Sequence, residues 1–321
     1  MIKAAIVGLG WWGKSIVEAV QGKSPGMRFT TGVARDIDTK RDFASRHGLA
    51  LTADYESVLA DPRIDAVVLA TPHSLHPAQV LAAARAGKHV FCEKPLALTA
   101  DEARAAAAAC RAADRVLAVG HNKRFWASMI ALREIVAGGS LGQILHVEGH
   151  SSNQNSGNFT AWREIPHEAP GGGLTGSGIH VLDALVSVAG PVSEVSAQLL
   201  TTRAGADPRD TLTVMLGFER GISGSFAAVR STPLYWRVHV FGDQGSVEAL
   251  GETQLVIRRP GKAPEHRELA PGQSLLACLE SFAQAAQGHG EFLIGMDEIV
   301  AVSVALDAIL QSIDRRGAIR P

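Results

Sequence analysis

Apolar residues follow two different rhythms along this chain. Up to about residue 120, short continuous apolar runs alternate with amphipathic stretches. The runs Lys3 to Val7, Phe29 to Ala34, Ile64 to Ala70, His89 to Cys92 and Val116 to Val119 read as strands. Ile64 to Ala70 is apolar almost throughout, as a parallel strand covered on both faces must be. Between them, Lys14 to Val20, Asp38 to His47, Tyr55 to Ala60, Ala78 to Ala86 and Ala100 to Ala113 read as helices. Thr99 can cap the last of these, and Asp101 and Glu102 in its first turn suit the helix dipole. Strands alternating with helices predict a doubly wound parallel sheet over residues 1–122. After Phe125 the rhythm changes. One helix, Ser128 to Ala137, is followed by strand-like runs at 144–151, 195–202, 211–218, 224–230, 236–241, 246–250 and 254–258. Several of these alternate apolar and polar residues and are joined by Gly, Asp and Pro turns. That pattern predicts a second, α+β domain over residues 123–321 with a large, mainly antiparallel open sheet. It closes with helices at Leu275 to Ala286 and Met296 to Asp314, and Gly205 to Pro208 is the expected mobile loop.

Composition narrows the function classes. Of the 321 residues, 46% are hydrophobic and 20% charged, enough for two domains of common size. The formal net charge of -1 gives no global attraction to nucleic acid or an anionic membrane, so neither is an expected partner. No apolar run approaches the ~18 residues of a membrane span, and the start reads as a strand and not a signal sequence. Cys92, Cys110 and Cys278 are far apart and lack metal-ligand spacing. They are expected as reduced thiols in a cytoplasmic protein.

The first strand runs into Gly8-Leu9-Gly10-Trp11-Trp12-Gly13 and then a helix. In this setting G-x-G-x-x-G is a dinucleotide loop. Gly8 makes the tight turn, Gly10 lets a pyrophosphate approach the backbone, and Gly13 lets helix and strand pack closely. Trp11 and Trp12 are candidates to pack against the cofactor or the second domain. After the second strand come Arg35 and Asp36. A carboxylate there holds a ribose 2′-hydroxyl and an arginine a 2′-phosphate, so the cofactor is NAD or NADP, with Arg35 tilting toward NADP. Lys94, in Val90-Phe91-Cys92-Glu93-Lys94-Pro95, stands at the carboxyl end of a strand, the edge where open parallel sheets bind ligands. It is the first candidate for proton handling.

Four segments occur together and in order: Gly8-x-Gly10-x-x-Gly13, Ala70-Thr71-Pro72-x-x-x-His76, Ala86-Gly87-Lys88-His89-Val90-x-x-Glu93-Lys94-Pro95 and Gly120-x-Asn122-x-Arg124-Phe125. In these the chain resembles the glucose–fructose oxidoreductase/inositol dehydrogenase (Gfo/Idh/MocA) family, over essentially its whole length. The resemblance implies a nicotinamide oxidoreductase. Thr71, Pro72, His76, Glu93, Lys94 and Asn122 would lie on the cofactor side. Trp162 and Arg163 would reach the cofactor from the second domain, and Lys123, Arg124, His150 and Asn153 would line the cleft. It also implies a homodimer or homotetramer formed through the second-domain sheet. The family pattern Gly-Gly…Asp-x-x-x-His-x-x-Asp matches here at His180 and Asp183, but its first carboxylate position holds Gly176.

Oxidising a secondary alcohol needs a hydride acceptor, a base for the hydroxyl proton, and a donor or positive charge near the forming carbonyl oxygen. With Gly176 in place of a carboxylate, His180 is the expected principal acid/base, since imidazole titrates near neutrality. Lys94 would polarise the substrate oxygen or share its proton, and Asp183, one helical turn from His180, would orient it or bind a substrate hydroxyl. His73 and His76 have H-x-x-H spacing but no third ligand in sequence, so no metal site is expected. The leading expectation is hydride transfer to or from a sugar, polyol or related small molecule. Two others stand beside it: hydrolysis or elimination with a tightly bound, recycled NAD(H), and a non-catalytic dinucleotide-dependent sensor.

Overall fold

The computed structural model describes residues 1–153, 165, 167–200, 211–230 and 232–321. In chain order the first elements are β1 (Ile2–Val7), α1 (Trp11–Val20), β2 (Met27–Val33), α2 (Arg41–His47), β3 (Ala50–Thr52), α3 (Tyr55–Ala60), β4 (Ala66–Leu69), α4 (His76–Arg85), β5 (His89–Cys92), α5 (Ala100–Ala112) and β6 (Leu117–Val119). They are followed by α6 (Ala127–Ala137), β7 (Ile144–Asn153), α7 (Ile179–Ala189), β8 (Val192–Leu200), β9 (Thr211–Phe218) and β10 (Ser223–Arg230). The chain ends with β11 (Tyr235–Gly242), β12 (Gly245–Leu250), β13 (Gln254–Arg258), β14 (Glu265–Glu268), α8 (Ser274–Ala286) and α9 (Met296–Arg315).

The first sheet has six strands in the order β3-β2-β1-β4-β5-β6, and every neighbouring pair is parallel. Its central strands are sealed on both faces: all four residues of β4 are buried, as are Val90, Phe91 and Cys92 of β5. This is the doubly wound sheet expected from the apolar runs. Two details differ from the sequence pattern. Helix α4 begins at His76, because Pro77 takes one of its first positions, where the missing N–H costs nothing. Strand β3 has three residues, too few to show a period.

The second sheet has eight strands in the order β14-β13-β12-β11-β7-β10-β9-β8. All pairs are antiparallel except β7 with β10. Edge strand β14, Glu-His-Arg-Glu, escaped the sequence reading because all its residues are exposed and none is apolar. A charged edge of this kind resists pairing with another chain.

The chain divides into two compact units, one of residues 1–122 and 273–299, the other of residues 123–272 and 300–321. The change after Asn122 is where the sequence rhythm changes. The segment 273–299, expected in the second domain, belongs to the first unit instead. The reason is packing on the first sheet: Phe282 of α8 lies edge-on to Phe91 of β5 at 5.7 Å, and both side chains are fully buried. Gln287 donates from Nε2 to the Gly26 carbonyl at 3.2 Å, and the Ser24 hydroxyl donates to the Glu280 carboxylate. The last helix re-enters the second unit, where Ser312 Oγ accepts from the Ala197 amide at 2.9 Å.

In the second unit α7 packs on one face of the sheet. It comes so close that a Cβ on Gly149 would stand 2.1 Å from Val181. The opposite face carries a cross-strand row, Met215, Ser225, Glu148, His239, Glu248 and Val256. Arg237 joins Glu148 at 2.6 Å and Glu248 at 3.5 Å, and Arg258 joins Glu248 at 2.9 Å. Burial drives the His239 imidazole from its ordinary 6.5 to about 4, against the pull of Glu248, with Arg258 and Arg237 opposing the proton.

Removing the Phe282 ring should cost about 3–5 kcal/mol. Urea unfolding of full-length Phe282→Ala measures this, and a loss below about 1 kcal/mol would reject α8 as a core element of the first unit. The His239 shift also carries a sign. Between pH 6.5 and about 4 the unfolded chain binds a proton at this residue that the folded chain excludes, so stability falls on acidification through that window. In His239→Gln the fall in unfolding free energy over the same window should be smaller than in the wild type. An equal fall would show that other groups account for it.

Candidate active site

The carboxyl ends of β1, β4, β5 and β6 hold most of the residues predicted for the cofactor side. Gly8 has φ 98°, and a Cβ there would lie 2.5 Å from the Ala70 carbonyl oxygen. A Cβ on Gly13 would lie 1.9 Å from the Gly8 carbonyl oxygen. Glycine is therefore forced at both positions by the fold itself. Gly10 is different: it is exposed, and no described atom lies within 4 Å of where its Cβ would be. It caps the amino end of α1 with open space in front of free helix N–H groups, and that cradle fits a dinucleotide pyrophosphate.

Glu93, Lys94 and Pro95 follow β5, with a cis bond between Lys94 and Pro95. Glu93 is buried, and its carboxylate fills the space left by Gly120, where a Cβ would stand 2.6 Å from Oε1. The glycine of Gly120-x-Asn122 thus makes room for an acid on the neighbouring strand. Lys94 is half-buried beside it, and its amide lies 3.4 Å from Glu93 Oε2. His76 has no exposed surface, and its ring joins the two turns. Nδ1 is 2.7 Å from the Pro95 carbonyl oxygen, and Nε2 is 3.0 Å from that of Thr71. It therefore braces the Lys94 turn from a buried position between the two strand ends. Thr71 donates to Gln79 Oε1 at 2.6 Å, and Pro72 leads into the turn before α4. Burial pushes the Cys92 thiol well up, with Glu93 and Cys110 adding to the shift, and burial lifts Cys110 to about 11. Neither is a nucleophile near neutrality.

After β2, Arg35 and Asp36 are both exposed. Asp36 Oδ1 accepts from the Thr39 amide at 3.3 Å, capping the next turn, whereas Arg35 forms no ion pair among the described residues. Trp11 is 76% exposed, and its ring centroid is 5.4 Å from that of Trp12. The Trp12 indole nitrogen is buried and has no hydrogen-bond partner among the described residues.

In the second unit, a single π-type turn, Leu174–Gly178, leads directly into α7. Such turns are rare, and sequence spacing gives no sign of this one. His180 lies in the first turn of α7 and is 7% exposed. Asp183 is 1% exposed and faces Arg124, itself 1% exposed. Arg124 Nη1 donates to the Asp183 carbonyl at 3.2 Å and lies 3.6 Å from its Oδ1. The sequence suggests a substrate role for both; in the structure they form a buried ion pair within the second unit at the start of α7. Asn122, Lys123 and Arg124 share one short turn, and the Lys123 ammonium sits 4.7 Å from the Trp126 ring and 5.4 Å from that of Trp236. Asn153 ends β7, with Oδ1 buried and unbonded among the described residues. His150 lies on the sheet face away from α7, its imidazole lowered by burial and Arg237. Trp162, Arg163 and the Gly205 to Pro208 loop lie outside the described residues. Among the described residues, no three metal-binding side chains converge and no helix is long and apolar enough to cross a membrane.

Comparison with known proteins decides the family. Residues 2–121 match the family model described as "Oxidoreductase family, NAD-binding Rossmann fold", and residues 129–248 match the GFO/IDH/MocA C-terminal domain. The chain belongs to the GFO/IDH/MocA oxidoreductase family. Among its relatives in that family, trans-1,2-dihydrobenzene-1,2-diol dehydrogenase of Bos taurus is 30% identical over 251 residues, covering 75% of this chain and 72% of the relative. 1,5-Anhydro-D-fructose reductase of Ensifer adhaerens is 29% identical over 263 residues, 78% of each chain. Aldose-aldose oxidoreductase of Caulobacter crescentus, solved with glycerol, superposes with TM-score 0.87 at 27% identity over 100% of this chain and 99% of its own. Levoglucosan dehydrogenase, solved with NADH and L-sorbose, has TM-score 0.87 at 23% identity over 99% and 98%, a likeness of fold. This family member is an NAD(P)-dependent oxidoreductase acting at carbons that bear a hydroxyl or carbonyl group.

The buried ion pair sets a stability prediction. Asp183→Ala leaves the Arg124 guanidinium without its carboxylate and should cost about 3–5 kcal/mol, with Asp183→Asn costing less. Chemical denaturation of the full chain checks both, and a neutral Asp183→Ala would mean that the pair does not hold α7.

Proposed function

We propose that this enzyme oxidises or reduces a sugar, polyol or related small hydroxylated molecule, with NADP(H) preferred over NAD(H). The substrate class rests on the relatives, whose names describe dehydrogenases and reductases of diols and anhydro sugars. The observation that carries the cofactor preference is the contrast between Arg35 and Asp36. The carboxylate is engaged in capping its own turn, and the guanidinium, with no carboxylate partner among the described residues, is available to a 2′-phosphate.

Bound nicotinamide supplies the hydride chemistry. In our reading, Lys94 donates to the oxygen at the reacting carbon and shares its proton, while His180 is the principal acid/base. Glu93 orients the Lys94 turn, the open backbone at Gly10 carries the phosphates, and Trp11 and Trp12 cover them. Lys123 and Asn153 bind substrate hydroxyls, with Trp162 and Arg163 serving the cofactor. The protein works as a homodimer or homotetramer through the sheet face that carries Met215, which is 61% exposed, and the Glu148–Arg237–Glu248–Arg258 charge row. The buried free thiols suit a cytoplasmic setting.

Titrating NADPH and NADH by fluorescence and calorimetry tests the cofactor reading. Arg35→Ser should weaken NADPH by about 10–100-fold, the worth of a charge-assisted contact, and leave NADH nearly unchanged. Equal loss for both cofactors would remove Arg35 from the 2′-phosphate site. Lys94→Ala should lower kcat by about 10²–10⁴-fold with cofactor binding kept, and unchanged turnover would reject it as catalytic.

A further inference from the structure

The first unit has a second recess, a cleft of about 890 Å³ at the amino ends of β5 and β6. Its volume is that of a small-molecule site. It lies between His89, which opens β5, the end of α5 with the turn that follows it, and the 285–298 segment after α8. Lys94 follows the other end of β5, so the four-residue strand, ~13 Å long, separates this cleft from the dinucleotide seat. Two polar groups that line it lack acceptors. The Val116 amide donates to His89 Nδ1 at 3.1 Å. An amide N–H can only donate, so Nδ1 accepts and the neutral ring carries its proton on Nε2. Burial first, and then the Arg115 guanidinium, hold this imidazole below its ordinary range against the pull of Asp65 and Asp114, so the ring is neutral near neutrality. Its Nε2–H has no acceptor among the described residues. Arg115 is half-buried and near enough to act on His89, yet its Nε is sealed from solvent and unbonded among the described residues. A buried donor of this kind costs free energy until something accepts from it.

The rim of the cleft has the opposite sign. Arg111 pairs with Asp297 and neutralises it. Asp114 and Glu291 also line the cleft, are exposed, and form no ion pair among the described residues. Leu117 and Ile294, each 1% exposed, add an apolar wall. A simple anion drawn to the Arg115 guanidinium would be repelled by the two rim carboxylates, and a simple cation drawn to the rim would be repelled by the guanidinium. A molecule carrying both charges satisfies both. We infer that this cleft binds a small zwitterion of the amino-acid class. The carboxylate of the ligand accepts from Arg115 and His89, its ammonium faces Asp114 and Glu291, and its apolar side chain lies on Leu117 and Ile294. The site stands apart from the hydride chemistry and does not depend on which substrate or cofactor the enzyme uses.

The test uses L-leucine and its two halves on the full-length protein, by calorimetry. The halves are isocaproate, which lacks the ammonium, and isoamylamine, which lacks the carboxylate. L-leucine should bind in the millimolar range or tighter and at least about tenfold better than either half. Arg115→Gln should weaken L-leucine by about tenfold or more, through loss of the charge-assisted contact to its carboxylate. The double variant Asp114→Asn, Glu291→Gln should weaken L-leucine by about threefold or more and bind isocaproate no worse than the wild type does. Saturating NADPH should change the L-leucine affinity by less than about twofold, since the two ligands occupy opposite edges of the sheet. Melting temperature and NADPH affinity report whether each variant is folded. Should Arg115→Gln fail to fold, the double variant, whose changes are at exposed positions, decides the matter. No binding of L-leucine to the wild type at about 50 mM would overturn the inference, as would affinity unchanged in the folded variants or displacement of L-leucine by NADPH. Isocaproate binding as tightly as L-leucine would overturn the assignment of a zwitterion. None of these results bears on the proposed substrate class or cofactor preference, so the two readings fail separately.

Discussion

Close approach of backbone to backbone at the carboxyl ends of the parallel strands is the constraint on which the first unit depends. Gly13 lets α1 settle onto the Gly8 carbonyl, and Gly8 in turn lies against the end of β4 at Ala70. A methyl group at either place would separate strand from helix and move the helix amino terminus that faces the phosphates. The same economy recurs two strands away. Gly120 gives up its side chain so that the Glu93 carboxylate can be housed between β5 and β6, which fixes the backbone immediately before Lys94. His76 completes the arrangement by joining the Pro95 and Thr71 carbonyls across two turns. Lys94 thus stands at a strand end whose neighbours are each held in place by a specific contact, which is what the proton-handling role proposed for it would require.

The second unit solves a different problem. Its sheet has one face sealed by helix and one face of interleaved acids, bases and histidines, whose charges are paired across strands. Burying such groups is tolerable only when they are partnered. The Arg124–Asp183 pair follows the same rule inside the unit, where it anchors the segment that presents His180. The π-type turn before α7 brings Gly178 against Ala228 of the sheet.

The first unit was largely legible in the sequence because its signals are local. Apolar runs of the right length specify β1, β4 and β5, and the glycine loop names its own ligand class. The family resemblance likewise rests on contiguous motifs. Long-range packing decided what was missed. Nothing in the residues of α8 tells that Phe282 will seek Phe91 almost two hundred positions earlier, so the sequence pattern alone does not place that helix with the first sheet. Strand β14 is wholly polar and gives no period. Asp183 and Arg124 are read as ligand-binding groups from the family resemblance. Only their mutual contact and burial reveal an internal pair. His76 carries a similar lesson, since sequence does not show that both of its ring nitrogens reach backbone carbonyls.

In the proposed mechanism the carboxyl edge of the first sheet seats the dinucleotide, with Lys94 beside the nicotinamide. Amide hydrogen exchange on the full-length protein, with and without saturating NADPH, tests it most directly and needs no substrate. Bound NADPH should slow exchange at the amides of residues 9–14, at the start of α1, and at Glu93 and Lys94. Cofactor binding with no change in exchange at these amides would contradict it.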